Sequence, residues 1–156
     1  MKLQYLNRKN GLKGFTLIEL LVVVSVIGVL IGLSIFGLQG ARESSRDAKR
    51  KADLELIRSG LEIYKADCGG YPLTAQVVGG STLTGAAGIS GCAGNTYISQ
   101  IPVDPVSSTR SYSYTSAAGT TYTLCAALEQ TPSPTMAPTP ACGSCVTSCN
   151  YRVVNP

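Results

Sequence analysis

Hydrophobic positions follow three patterns along the chain, and each predicts a different element. Residues 20–38 run without a charge through Leu, Val, Ile, Phe, Gly and two serines. Counted from Phe15 the stretch is 24 residues, or about 36 Å as a helix against a hydrocarbon core of about 30 Å, so it can span a bilayer once. After Ala41 the apolar residues thin to one stripe, Leu54, Ile57, Leu61 and Tyr64, at spacings of three, four and three. Such spacing places them on one helical face that needs a partner surface. The stretch from Ala41 to Asp67 is rich in helix formers and contains no proline. The pattern therefore predicts one helix from about Phe15 to about Asp67, apolar all round in its first half and amphipathic in its second. Cys68-Gly69-Gly70-Tyr71-Pro72 supplies glycines for a C-terminal cap and a proline that cannot continue it.

Beyond Pro72 the third pattern appears: short β-prone runs separated by Gly, Ser and Thr. Ser111–Thr115 and Thr120–Leu128, with Ser116-Ala117-Ala118-Gly119 between them, predict a β-hairpin. Thr96–Ile101 is a third, less regular candidate, ended by Pro102. A small antiparallel sheet covering the Leu54–Tyr64 stripe makes an α+β head. Residues 131–140 form an extended Ser/Thr/Pro-rich linker whose composition also suits O-glycosylation, leaving a cysteine-rich end. The expected organisation is a leader (1–14), an apolar half-helix (15–38), an amphipathic half-helix (39–67), a β-sheet head (68–130), and a linker with a disulfide-rich tail (131–156).

Charge changes this picture at both ends. Lys2, Arg8, Lys9 and Lys13 precede Gly14 with no acid among them. They account for the whole formal +4, because 13 − 4 leaves nine basic residues against nine acidic ones. The basic pI thus says nothing about nucleic acid, since the excess sits in a leader that looks removable. By the positive-inside rule it keeps the N-terminal flank in the cytoplasm. From Cys68 onward the only charged side chains are Asp104, Arg110, Glu129 and Arg152. All six cysteines (Cys68, Cys92, Cys125, Cys142, Cys145 and Cys149) lie after residue 67, as expected of an exported, oxidised part carrying disulfides. An ordinary secretory signal does not fit, because the apolar stretch is too long and Gln39-Gly40-Ala41-Arg42-Glu43 after it is a poor cleavage site.

Lys13-Gly14-Phe15-Thr16-Leu17-Ile18-Glu19-Leu20-Leu21-Val22-Val23 closely resembles the N-terminal signature of the type IV pilin and type II secretion pseudopilin superfamily. Asp47–Arg50 through Leu61–Tyr64, then Gly70-Tyr71-Pro72, resembles the exposed half of the first helix and its exit in the same proteins. Ile101–Pro105 and the Tyr-rich hairpin are similar to the head of the major pseudopilins and of related small pilins. The resemblance implies a pilin-like fold and cleavage between Gly14 and Phe15 by a membrane-embedded prepilin peptidase, with N-methylation of Phe15. It also implies polymerisation with copies of itself through an inner-membrane assembly platform. Gly14 fits this role because a residue without a side chain enters a tight protease cleft. Glu19 needs a partner, since a carboxylate in the apolar segment costs on the order of 3 kcal/mol on insertion scales. The resemblance implies the Phe15 amine of a neighbouring subunit; snorkelling to the headgroups or protonation is the bland alternative. Gly28 and Gly32 form a small-x-x-x-small pair, and Phe36 stands where many type IV pilins carry a kinking proline.

These residues point to a structural subunit, not an enzyme. The resemblance implies a single-span cytoplasmic-membrane protein first and part of a surface pilus, or alternatively a periplasmic pseudopilus, afterwards. Rival chemistries have less support. Cys142-x-x-Cys145-x-x-x-Cys149 has zinc-like spacing but no His accompanies it. A tethered thiol oxidoreductase using Cys142-x-x-Cys145 lacks a βαβ context. A DNA-uptake role calls for a basic head surface, which Arg110 and Arg152 do not make, and the hairpin tyrosines read as packing residues. No cofactor is expected, apart from calcium at Asp104 by resemblance to the major pseudopilins. Asp104 and Glu129 are few acids for an oxygen cage.

Overall fold

The computed structural model describes residues 14–87, 91–132 and 142–156. The basic leader before Gly14, most of the Ser/Thr/Pro-rich linker, and residues 88–90 lie outside the described residues. Two compact units are present, one ending at Gly40 and the other covering Ala41–Pro156. Helix α1, Leu17–Cys68, contributes to both.

Among the described residues of the first unit, α1 has no partner element. Every large hydrophobic side chain described between Leu17 and Leu38 faces outward, from 48% exposed at Ile27 to 82% at Leu17. Ser25 and Ser34 return their hydroxyls to the helix, donating to the Val22 and Leu30 carbonyls, so neither presents an unpaired donor to an apolar surrounding.

In the second unit α1 buries the predicted stripe. Leu54, Ile57, Leu61 and Tyr64 are all at most 2% exposed and pack with Tyr71, Leu83, Ile98, Ile101, Tyr114, Tyr122, Leu124, Ala126 and Val153. The helix ends where the glycines put it. Gly69 adopts φ 78° and its N–H donates to the Lys65 carbonyl at 2.9 Å, the left-handed cap that a side chain would disfavour.

The sheet is split and larger than the predicted hairpin. Strands β3 (Ser113–Thr115) and β4 (Thr123–Ala126) pair antiparallel, with Tyr114 opposite Leu124. Strand β5 (Tyr151–Val154), from the cysteine-rich end, pairs antiparallel with the other edge of β4, giving the order β3-β4-β5. Thr96–Ile98 is the strand β2, shorter than the run expected there. It pairs with a two-residue strand β1 (Leu83–Thr84) in a separate sheet. The tail is therefore part of the sheet, and Val153 brings it into the core.

The tyrosines pack as expected of core residues. Tyr114 and Tyr122 are buried with ring centroids 6.0 Å apart, and Tyr71 meets Tyr122 edge-on at 4.7 Å. Burial pushes the Tyr114 phenol up to about 12, and its hydroxyl donates to the Pro72 carbonyl at 2.7 Å.

One close approach fixes the β1–β2 unit. A Cβ added at Gly85 would lie 1.8 Å from the Cys92 carbonyl oxygen, which is backbone and cannot step aside. Gly85→Ala should destabilise the protein by about 1–3 kcal/mol, the usual range for overpacking. A thermal melt followed by circular dichroism checks it; an unchanged midpoint would mean the loop simply shifts.

Candidate functional site

The apolar unit begins at the junction singled out by sequence. Gly14 and Phe15 precede α1, and Phe15 is 91% exposed. Glu19 lies in the first turn, and its Oε2 accepts hydrogen bonds from both the Thr16 amide and the Thr16 hydroxyl at 2.9 Å. The Glu19 amide in turn donates to the Thr16 hydroxyl at 3.3 Å. This is a capping box: Thr-x-x-Glu satisfies backbone donors that no earlier turn of helix can reach. Glu19 therefore has a role within its own subunit. The signal was available in Thr16-Leu17-Ile18-Glu19 standing directly before an apolar run.

Gly28 and Gly32 have open space where a Cβ would project, which leaves that face of α1 low enough for another backbone to approach. The first unit thus offers an exposed apolar helix, small residues on its surface, and one acid near its start.

A second cluster, inside the Ala41–Pro156 unit, was not apparent as a group from sequence. Arg50 is fully buried and gathers three carboxylates. Its Nε and Nη2 donate to the two oxygens of Asp104 at 2.8 and 3.0 Å, a bidentate pair. Its Nη1 donates to Asp47 at 2.7 Å and to Glu129 at 2.8 Å. Arg46 pairs with Glu129 through both guanidinium and carboxylate faces. Asp47 also accepts the amides of Glu129 and Gln130, the latter at 2.8 Å. One helical turn of α1 thereby holds the loop at Asp104 and the chain leaving β4. These hydrogen bonds, Asp104's first, raise the Arg50 pKa further, against the opposing effect of burial.

The hydrogen bond from Arg46, and then that from Arg50, hold the Glu129 carboxyl down to about 2 from an ordinary 4.5. Because the folded value lies below the unfolded one, this contribution to stability is complete above about pH 4.5 and is lost as pH falls toward 2. Melts from pH 6 to pH 2 should show the midpoint dropping through that window, and Glu129→Gln should flatten the drop.

The six cysteines form three disulfides: Cys68–Cys92, Cys125–Cys142 and Cys145–Cys149. Cys142 and Cys145 thus belong to different bonds and do not form the dithiol pair that a Cys-x-x-Cys oxidoreductase uses. None of the six is a free thiolate for zinc, and no metal-binding group of His, Cys, Asp and Glu occurs among the described residues. Asp104 does not stand open for calcium either. Both its oxygens face Arg50, and Oδ1 also accepts the Val106 amide at 2.8 Å.

Residues 9–35 match the prokaryotic N-terminal methylation motif, and residues 38–130 match the type II secretion system protein G family. The chain belongs to the type II secretion system protein G family. Among its relatives, the type II secretion system core protein G of Escherichia coli K12 is 36% identical over 97 residues, covering 60% of this chain and 66% of that protein. The core protein G of Dickeya chrysanthemi is 39% identical over 67 residues, covering 43% and 44%. That of Klebsiella pneumoniae is 36% identical over 97 residues, covering 60% and 68%. The chain thus spans from under half to about two thirds of the length of these relatives. No solved structure matches it significantly. Strand β5 and the Cys145–Cys149 disulfide lie beyond the part that matches the protein G family.

Proposed function

We propose that this protein G family member is a structural filament subunit. It is cut between Gly14 and Phe15, methylated on the new Phe15 amine, and polymerised through the first half of α1. The observation that carries this reading is the apolar run of α1, in which every large hydrophobic side chain described between Leu17 and Leu38 is exposed. Such a surface is stable in water only when covered. A bilayer covers it before assembly, with the basic leader in the cytoplasm, and copies of the same helix cover it afterwards.

Processing gives Phe15 a positive amine, and the Glu19 carboxylate of an adjacent subunit is its natural partner in an apolar filament interior. Prepilin peptidase and an inner-membrane assembly platform are the partners this sequence of events requires. The relatives' names favour a periplasmic pseudopilus as the destination. The sparse charge of the head and its disulfide-bonded tail favour a surface pilus, where solubility of the free subunit matters less.

The deciding experiment isolates filaments from the producing cells, images them by electron microscopy, and sequences their subunits by mass spectrometry. The expected result is this chain beginning at N-methylated Phe15. Filaments lacking the chain would remove the assembly role, and any other mature N-terminus would remove the processing assignment. Filaments shed from the cell surface identify a pilus; filaments confined to the periplasm, with loss of protein secretion on deletion, identify a pseudopilus.

A further inference from the structure

The resemblance to the major pseudopilins leads one to expect calcium at Asp104, and the donor set there does not fit it. A calcium ion takes six to eight oxygens at about 2.3–2.6 Å. At Asp104 both carboxylate oxygens already receive a guanidinium, Oδ1 receives a backbone amide as well, and the side chain is fully buried. A second cation placed on the same oxygens would sit against the positive charge of Arg50.

We propose that Arg50 is the built-in cation of this head, cross-linking Asp47, Asp104 and Glu129 in place of a bound divalent ion, so that the subunit folds and keeps its stability without calcium. Three features of the cluster support this. The guanidinium is 0% exposed, so its charge acts in a water-poor environment where pairing matters most. Its planar fork reaches three carboxylates from separate parts of the chain at 2.7–3.0 Å, the bridging that a divalent ion otherwise provides. The charge count also fits. Asp104 and Glu129 are the only acids after Cys68, and both are engaged by this one arginine, which leaves no head carboxylate for another cation. The inference does not depend on which filament the subunit enters, or on whether it enters one.

The test uses the full chain purified in detergent, with calcium chloride as the only added ligand and circular dichroism melts as the readout. For the wild type, the midpoints in EGTA and in millimolar calcium should agree to within about 3 °C, and calorimetry should detect no calcium binding. A larger rise with calcium, or a measurable binding isotherm, would overturn the proposal. Arg50→Ser supplies the converse. It removes the cation and leaves three carboxylates around a polar space. Its midpoint in EGTA should fall below that of the wild type, and calcium should raise it by more than about 3 °C, with magnesium less effective because it demands a tighter octahedral cage. A folded Arg50→Ser protein indifferent to calcium would refute the equivalence of guanidinium and metal. Should the variant fail to fold at any calcium concentration, the wild-type comparison still decides the matter.

Discussion

Asp104→Ala is expected to cost the protein about 3–5 kcal/mol, the penalty for removing one partner of a buried ion pair. Asp104 is 3% exposed and Arg50 0%, so water cannot take over the lost contacts without opening the unit. Two guanidinium donors and the Val106 amide would lose their acceptor together. Against a typical total of about 5–15 kcal/mol, that loss is a large share of the stability of one domain. Denaturant titration checks it: the midpoint should fall sharply while the slope stays constant, because the folded core itself is unchanged. A loss below about 1 kcal/mol would show that the pair contributes little. An informative control replaces both partners, Arg50→Met with Asp104→Leu. It should recover only part of the loss, since the apolar pair removes the Arg50–Asp104 charges together but takes the same guanidinium away from Asp47 and Glu129.

The second large effect is expected from Cys142→Ser. The Cys125–Cys142 bond joins positions 17 apart and encloses the whole proline-rich stretch, so opening it costs about 3 kcal/mol through the freedom returned to the unfolded chain. The Cys68–Cys92 ring is of similar size, with a separation of 24, but its segment is also held by β1–β2 pairing. The tail, by contrast, follows the proline-rich stretch that the Cys125–Cys142 bond closes. Without Cys142 it keeps the four-residue ladder of β5, and Asn150, whose side chain bridges the amide and carbonyl of Leu128. Amide exchange at 151–154 should therefore accelerate more than anywhere else in the sheet. Unchanged exchange there, with an unchanged melt, would show that strand pairing alone secures the tail.

Periodicity carried the sequence reading furthest where packing obeys it. Leu54, Ile57, Leu61 and Tyr64 are buried on the face their spacing indicates, Gly69 caps α1, and the Tyr-rich runs form β3 and β4. What pattern did not yield depends on pairing at long range. Tyr151-Arg152-Val153-Val154 is too short, and too little bounded by turn residues, to announce a strand; it becomes one because β4 offers an open edge. Leu83–Thr84 likewise becomes a strand only through a distant partner, here β2.

The Arg50 cluster illustrates a different limit. In a list of mixed charges from Arg42 to Asp67, Arg50 reads as one solvated side chain among many. Yet it lies four residues before Leu54, on the same face as the apolar stripe, and a charge in that position requires carboxylates from across the fold. The scarcity of acids after Cys68 was the corresponding clue. Which acids arrive is a matter of tertiary placement, and spacing along the chain contains no record of it.

The capping box at Thr16 and Glu19 bears on how a filament of such subunits behaves. A carboxylate that already receives two hydrogen bonds enters any intersubunit pairing by exchanging partners, so its net gain is the difference between two satisfied states. Under the proposed assembly, cohesion would then come from side-by-side contact of the apolar helices, while the charge would set how far one helix slides along its neighbour. The polymer would be held by a broad, non-directional force and indexed by a narrow, directional one. A subunit drawn back out of it could return to its own internal bonds, so retrieval into the bilayer would not strand a bare ion.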